Sequence, residues 1–310
     1  MTTKRVLITG GAGYLGSHLA DLLNDRCIVL DSLLYANEYF KQVTFARCDV
    51  TDYARLKTYL DQVDCVVWLA AIVGDAACMV NPRKAIQVNQ EAVRFLAQNF
   101  DGPIIFTSTC SVYGVSEEIA TESSPLNPKS LYGETKIQAE RWLLEKNALI
   151  LRLGTLHGVS ERMRFDLVVN VLTMKAVLNG SVDVFGGRQY RPLLSVKEAA
   201  EFIARMVDRD WEPGAYNLAS ENLSILEVAS LVKAELPNVR VNIIEAPFED
   251  TRNYRVDWSK AERKLGFTPR RFARDSVREI AQVIRSGRIK DFSDLKFANL
   301  TAIRNVGEGA

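Results

Sequence analysis

The residues able to do chemistry together sit in two short stretches. One is Tyr132-Gly133-Glu134-Thr135-Lys136, at the head of an amphipathic segment. A Tyr and a Lys four apart share one face of a helix. An ammonium on that face lowers the pKa of the phenol, so Tyr132 could exchange a proton with a substrate hydroxyl near neutral pH. Thr109, at the end of the apolar run that starts at Ile104, could hydrogen-bond the same oxygen. The other stretch is Gly10-Gly11-Ala12-Gly13-Tyr14-Leu15-Gly16, which follows an apolar strand at once. Its G-x-x-G-x-x-G spacing is one residue wider at the start than the G-x-G-x-x-G fingerprint of dinucleotide sites. Gly10 would allow the tight turn, Gly13 a close approach of backbone to pyrophosphate, and Gly16 the packing of helix on strand.

A dinucleotide also needs an acceptor for its adenosine ribose. Leu30-Asp31-Ser32 supplies one where the second strand ends, with Asp31 15 residues past Gly16. A carboxylate there accepts hydrogen bonds from both ribose hydroxyls and repels a 2′-phosphate, so NAD is expected rather than NADP. The alternative for Asp31 is a helix cap. Other chemistries are poorly provided for. With two histidines, His18 and His157, a multi-histidine metal centre is impossible, and no metal is expected. His18 reads as a capping or packing residue, and His157 as packing or a substrate contact. The five cysteines (Cys27, Cys48, Cys65, Cys78, Cys110) hold no C-x-x-C pair, and reduced cytosolic thiols are expected.

The elements that must position these residues follow from periodicity. Lys4–Thr9, Cys27–Leu30, Cys65–Ala70, Ile104–Ser108 and Leu149–Leu153 are short runs rich in Val, Ile and Leu, as strands covered on both faces are. Between them lie the amphipathic segments Tyr14–Asn24, Asn89–Asn99 and Tyr132–Asn147. Such alternation predicts an α/β fold with a doubly wound parallel sheet. Beyond about Gly158 the rhythm changes. Helical stretches at Phe165–Leu178, Lys197–Arg209, Ile225–Glu235, Ser259–Leu265 and Arg274–Ser286 alternate with brief strands near Val182–Phe185 and Val239–Ile244. This predicts a smaller C-terminal α/β lobe, with domains at 1–158 and 159–286 and a patternless tail at 287–310. The 39 basic and 38 acidic residues nearly cancel, so neither nucleic acid nor an anionic membrane is expected as a partner. With the first strand starting almost at once, no signal peptide is expected, and no apolar run approaches the roughly 20 residues of a spanning helix. A cytoplasmic location is expected.

Along the chain stand, in order, Gly10-x-x-Gly13-x-x-Gly16, Asp49-Val50, Leu69-Ala70-Ala71, the Ser/Thr-rich run ending in Val112-Tyr113-Gly114, and Tyr132-x-x-x-Lys136. That ordered set resembles the NAD-dependent epimerase/dehydratase family, the extended short-chain dehydrogenases, over nearly the whole chain to about Glu279. The resemblance implies a Rossmann-type domain with a substrate lobe. It also implies transient oxidation of a nucleoside-diphosphate sugar, usually at C4, with Thr109, Tyr132 and Lys136 as catalytic triad. NAD would meet Gly10, Gly13, Tyr14, Leu15, Gly16, Asp31, Asp49, Val50, Leu69, Ala70, Ala71, Asn89, Thr107, Tyr132 and Lys136. The nucleotide sugar would meet Thr155, Asn170, Arg191 and Arg252, with Arg162 and Arg164 where the family folds over the nucleotide. Helices at 89–99 and 132–147 resemble those that form the family's four-helix dimer interface, so a homodimer is expected.

Departures bear on the reaction. The family's 4,6-dehydratases read Thr-Asp-Glu where this chain has Thr109-Cys110-Ser111, and cysteine and serine cannot do the acid–base work of water elimination. The family's usual histidine is Ser195 in Arg191-Pro192-Leu193-Leu194-Ser195, which suggests an altered sugar pocket. At 157 a histidine stands where an aromatic is usual. Asp31 favours NAD where most ketosugar reductases prefer NADPH, so an epimerase is expected ahead of a C4 dehydrogenase or 4-ketosugar reductase, although Ser195 points the other way. The intact Thr109, Tyr132 and Lys136 argue against a non-catalytic NAD sensor.

Overall fold

The computed structural model describes residues 4–35, 39–245 and 253–307. The first strand forms as β1 (Val6–Thr9), and the glycine-rich stretch turns it directly into α1 (Gly16–Leu23). β2 (Cys27–Asp31), β3 (Thr44–Arg47), α2 (Tyr53–Leu60) and β4 (Cys65–Trp68) follow. α3 (Asp75–Val80) and α4 (Pro82–Ile86) lead through a π-wound turn at 87–91 into α5 (Ala92–Asn99). β5 (Ile104–Thr109), the short β6 (Ile119–Ala120), α6 (Leu131–Leu143) and β7 (Ala148–Leu153) complete the first half. Ser130 starts α6, its hydroxyl accepting from the Gly133 amide at 3.3 Å. That cap sets the phase of the helix and puts Tyr132 in its first turn.

The second half runs β8 (Thr155–His157), α7 (Val168–Asn179), β9 (Ser181–Phe185), β10 (Tyr190–Ser195), α8 (Val196–Val207), β11 (Gly214–Leu218) and β12 (Glu221–Ser224). α9 (Ile225–Glu235), β13 (Arg240–Ile244), β14 (Arg255–Val256), α10 (Ser259–Leu265), α11 (Ala273–Arg285) and α12 (Asn299–Gly307) follow.

Seven strands make one parallel sheet in the order β11-β7-β5-β4-β1-β2-β3. Strand order reverses at β1, which pairs with β2 on one side and β4 on the other, so a crevice opens at the carboxyl ends of β1 and β4. Val6 and Ile8 face a layer that includes Leu19 of α1 and Phe202, Ile203 and Met206 of α8. Leu7 and Ile104 face the other layer, with Leu56, Leu96 and Leu143. The doubly wound sheet expected from the strand–helix rhythm is thus present. The chain also returns to it late, since β11 and α8 both come after residue 158. The remaining lobe packs α7, α9 and α11 around β9 and β13, through Val169, Val184, Val228, Val232 and Val277. The tail is more ordered than its sequence suggested. Phe297 packs edge-on to Phe165 at 5.4 Å between ring centroids, and α12 follows it.

Candidate active site

A cleft of ≈ 1310 Å³ runs over the carboxyl ends of the strands and into the second lobe. It exceeds the roughly 300–1,000 Å³ typical of a single small-ligand pocket, as a site for a dinucleotide plus a second large ligand must.

Its floor at one end is the glycine-rich loop. Gly10 has φ +73°, and a Cβ there would lie 2.8 Å from the Ala70 amide nitrogen. A Cβ on Gly16 would lie 2.5 Å from the Gly10 carbonyl oxygen. Only glycine permits this tight crossing, and the cradle it leaves fits a diphosphate. Asp31, at the tip of β2, accepts from the Ala12 amide at 3.0 Å and the Leu33 amide at 2.8 Å. Burial pushes its carboxyl above the usual range, against the pull of those amides and of Arg162. Burial likewise opposes ionisation of Asp49, but the Lys84 ammonium at 2.8 Å and the Thr51 amide and hydroxyl outweigh it and hold that carboxyl low. Both oxygens of Asp49 are therefore already engaged. Tyr14, Leu15, Val50, Leu69, Ala70 and Ala71 line the same end.

In the middle stand Thr107, Thr109, Tyr132 and Lys136. Lys136 is 2% exposed, and its ammonium donates to the Thr107 carbonyl oxygen at 2.8 Å. It also lies 4.6 Å from the Phe106 ring centroid and 6.0 Å from that of Tyr132. Burial pulls the lysine down to about 8. Burial drives the Tyr132 phenol upward, with Cys78 and Asp75 adding to the rise and Arg164 opposing it. Lys136 is not among the groups that lower it, so the expected lowering is not met, and burial favours the protonated phenol. Thr109 Oγ1 accepts from the Ser111 amide at 3.2 Å and lies 3.0 Å from Ser111 Oγ. Cys110, where the dehydratases carry Asp, is turned into the core, and its thiol donates to the Arg152 carbonyl oxygen.

The far end is built from the second lobe. Thr155 and Arg191 line it, as do Lys175, Asp183, Gln189 and Tyr254, which the sequence did not single out. The Arg191 guanidinium donates to the Tyr190 carbonyl oxygen at 2.8 Å and lies 5.8 Å from the Tyr254 ring centroid. Arg252 lies outside the described residues.

Three residues, Asn89, Asn170 and Ser195, do not stand where the sequence suggested, and His157 takes the packing place that was one of its two readings. Asn89 is fully buried and off the cleft wall. Its amide clamps Ile72, accepting from that residue's N–H at 2.7 Å and donating to its carbonyl oxygen at 3.0 Å. Asn170, also fully buried, accepts from the Gly158 amide at 3.1 Å and donates to Tyr14 Oη at 3.0 Å. Ser195 and His157 are register partners on β10 and β8, both buried, so the two departures are neighbours in the core rather than parts of a changed sugar pocket. His157 Nδ1 is 2.8 Å from Ser276 Oγ, and burial pulls the imidazole down to about 3. His18 Nε2 lies 2.8 Å from the Val159 carbonyl oxygen and ties α1 to the loop after β8.

Sequence reasoning also missed the brace beneath the middle of the cleft. Arg152 and Glu140 form a buried ion pair at 2.6 Å. Ser108 donates to Glu140, Arg152 to Tyr113 Oη at 2.9 Å, and Tyr113 to Asn217 Oδ1 at 2.7 Å. The partners stand up to 104 residues apart, and no local spacing signals them.

Residues 6–219 match the model of the NAD dependent epimerase/dehydratase family. UDP-glucuronic acid decarboxylase 6 of Arabidopsis thaliana is 26% identical over 297 residues, covering 87% of this chain and 85% of its own. Among solved structures, MoeE5 in complex with UDP-glucuronic acid and NAD is 26% identical with a TM-score of 0.79, over 91% of this chain and 99% of that one. UDP-N-acetylglucosamine 4-epimerase from Methanobrevibacter ruminantium M1, in complex with UDP-N-acetylmuramic acid, is 25% identical with a TM-score of 0.80, over 92% and 99%.

Proposed function

This chain belongs to the NAD dependent epimerase/dehydratase family, and from that premise we propose that it is a nucleotide-sugar epimerase acting through transient oxidation of a hexose hydroxyl, at C4. The carrying observation is that Thr109, Tyr132 and Lys136 line the middle of one long cleft, between a dinucleotide end and a second-lobe end. NAD is the cofactor, and when bound it supplies a hydride acceptor and a positively charged nicotinamide ring. Tyr132 takes the proton of the hydroxyl and later returns it. Burial keeps the phenol neutral until a cation nearby favours its ionised form. Thr109 orients the same oxygen, and Lys136 stiffens the wall through the Thr107 carbonyl. The segment 1–158 would carry the dinucleotide and 159–286 mainly the nucleoside-diphosphate sugar.

Epimerisation is favoured over dehydration because Cys110 is turned away and Ser111 is no acid. Asp31 favours NAD, and with it internal re-reduction over a net ketosugar reductase. The decarboxylase relatives support a second reading, since a ketone at C4 would make a C6 carboxylate a β-keto acid, which can lose CO2. The test is incubation with a panel of UDP-, GDP-, CDP- and dTDP-sugars, UDP-glucuronic acid included. An epimer without net NADH is expected. Net NADH, released CO2 or a 4-keto-6-deoxy product would overturn the proposal in favour of a dehydrogenase, decarboxylase or dehydratase. We also propose a twofold dimer through α5 and α6, and light scattering should give near twice the mass of the chain.

A further inference from the structure

The cleft wall holds an arginine whose bonding is incomplete. Arg162 is 8% exposed and its guanidinium lies 4.2 Å from the Tyr35 ring centroid. One terminal nitrogen donates to Asn299 Oδ1 at 2.7 Å. Its buried Nε has no partner among the described residues, nor has the buried phenol oxygen of Tyr35. Both residues line the cleft. A desolvated guanidinium with an idle donor is costly unless a ligand completes it. Burial and the neighbouring Arg164 act against its charge, while Tyr35, Asp166 and, least of the three, Asp31 act for it.

Its neighbours locate the pair along the cleft. Arg162 interacts electrostatically with Asp31, at the ribose end. Arg164, whose guanidinium is gripped by Asp166 at 3.0 and 2.9 Å, interacts with Tyr14 of the glycine-rich loop and with Tyr132. Between the ribose acceptor and the catalytic phenol lies the span that a dinucleotide's diphosphate must cross.

Asn299 joins this wall to the C-terminal helix. It is 3% exposed, its amide nitrogen Nδ2 donates to the Val73 carbonyl oxygen at 3.0 Å, and its backbone N–H donates to Asp166 at 3.1 Å. One side chain thereby ties α12 both to Arg162 and to the segment after β4.

We propose that Arg162, stacked on Tyr35 and held by Asn299, is a second clamp for the cofactor's diphosphate, besides the glycine-rich loop, and that α12 is a working part of the cofactor site. This rests on the NAD-binding end of the function proposed above.

The test is titration of the full chain, freed of nucleotide, with ADP-ribose and with adenosine. Arg162→Met should weaken ADP-ribose at least about 10-fold, the scale of one lost charge-assisted hydrogen bond, and adenosine hardly at all. Arg162→Lys, which keeps the charge and loses the planar fork, should fall between and stands in if the Met variant does not fold. Asn299→Ala should release bound NAD several-fold faster. Equal weakening of both probes, unchanged ADP-ribose affinity, or a loss larger for NADP than for NAD would overturn the clamp. A wild type that binds neither NAD nor ADP-ribose would instead overturn the cofactor assignment beneath it.

Discussion

The two ends of the cleft are built differently. At the end proposed for the dinucleotide, most residues that face the cavity belong to short motifs at strand tips, Gly10 with Gly13 to Gly16, Asp31, Asp49-Val50 and Leu69-Ala70-Ala71, with Tyr35, Arg162 and Asn299 added singly. Each strand tip aims its motif at the crevice because the parallel sheet lays all its carboxyl ends along one edge. At the far end, the wall is assembled from single residues on α7, β9, β10 and the segment before β14. There a polar residue faces the cavity or the core according to how helices cross, and Asn170 and His157 went to the core.

The sharpest way to break that contrast is at its centre. Tyr132→Phe keeps the ring and its packing but removes the ionisable oxygen. Turnover should fall roughly 10²–10⁴-fold with folding and NAD content retained. Single-turnover NADH absorbance at 340 nm with the true nucleotide sugar is the measurement, and a wild-type rate would refute the proposed chemistry.

Next comes the ribose acceptor. Wild type should prefer NAD over NADP by a wide margin, and Asp31→Ala should narrow the gap by about tenfold or more, as expected when a charged hydrogen-bond acceptor is lost. Direct titration of both cofactors checks this. Equal affinities in the wild type would mean that the carboxylate does not read the ribose.

The lobe should respond the opposite way. Asn170→Ala leaves the Gly158 amide and Tyr14 hydroxyl short of partners and should cost roughly 1–3 kcal/mol of stability. The KM for the sugar nucleotide should stay close to wild type. A large rise in KM at unchanged Tm would return Asn170 to the substrate wall.

The smallest effect on turnover is expected at His157. Its folded-state value near 3 lies below the ordinary 6.5, so the native state binds fewer protons than the unfolded chain between those pH values. Its contribution is present above about pH 6.5 and is lost as pH falls toward 3. Denaturant midpoints of wild type should therefore drop more steeply over that window than those of His157→Phe, while turnover at neutral pH changes little. Parallel curves would show that the imidazole reaches solvent.

Much of this protein could be read before folding was considered. β1, the glycine loop, Asp31 and the Tyr132/Lys136 pair are specified by residue types at fixed local spacings, and chain order along a parallel sheet carries them to one edge. Long-range pairing was not legible. Nothing near residue 214 announces a strand that closes the sheet beside β7, because Gly-Ala-Tyr-Asn-Leu has too weak a pattern until Leu149–Leu153 supplies its partner. Nor does Asn299 announce itself, since its meaning lies in Arg162, Asp166 and Val73, brought together from three distant segments.

By itself, then, the sequence determined which chemistry the chain can carry, because backbone turn, helix phase and strand tip are local matters. Tertiary structure decided which polar groups meet solvent and which meet each other. Asn89, Asn170, Ser195 and His157 carry side chains suited to a site, and desolvation made them parts of the frame. It also shifts the ionisation of the Tyr132/Lys136 pair: burial brings the ammonium down to about 8 and pushes the phenol up, which no spacing in the sequence records.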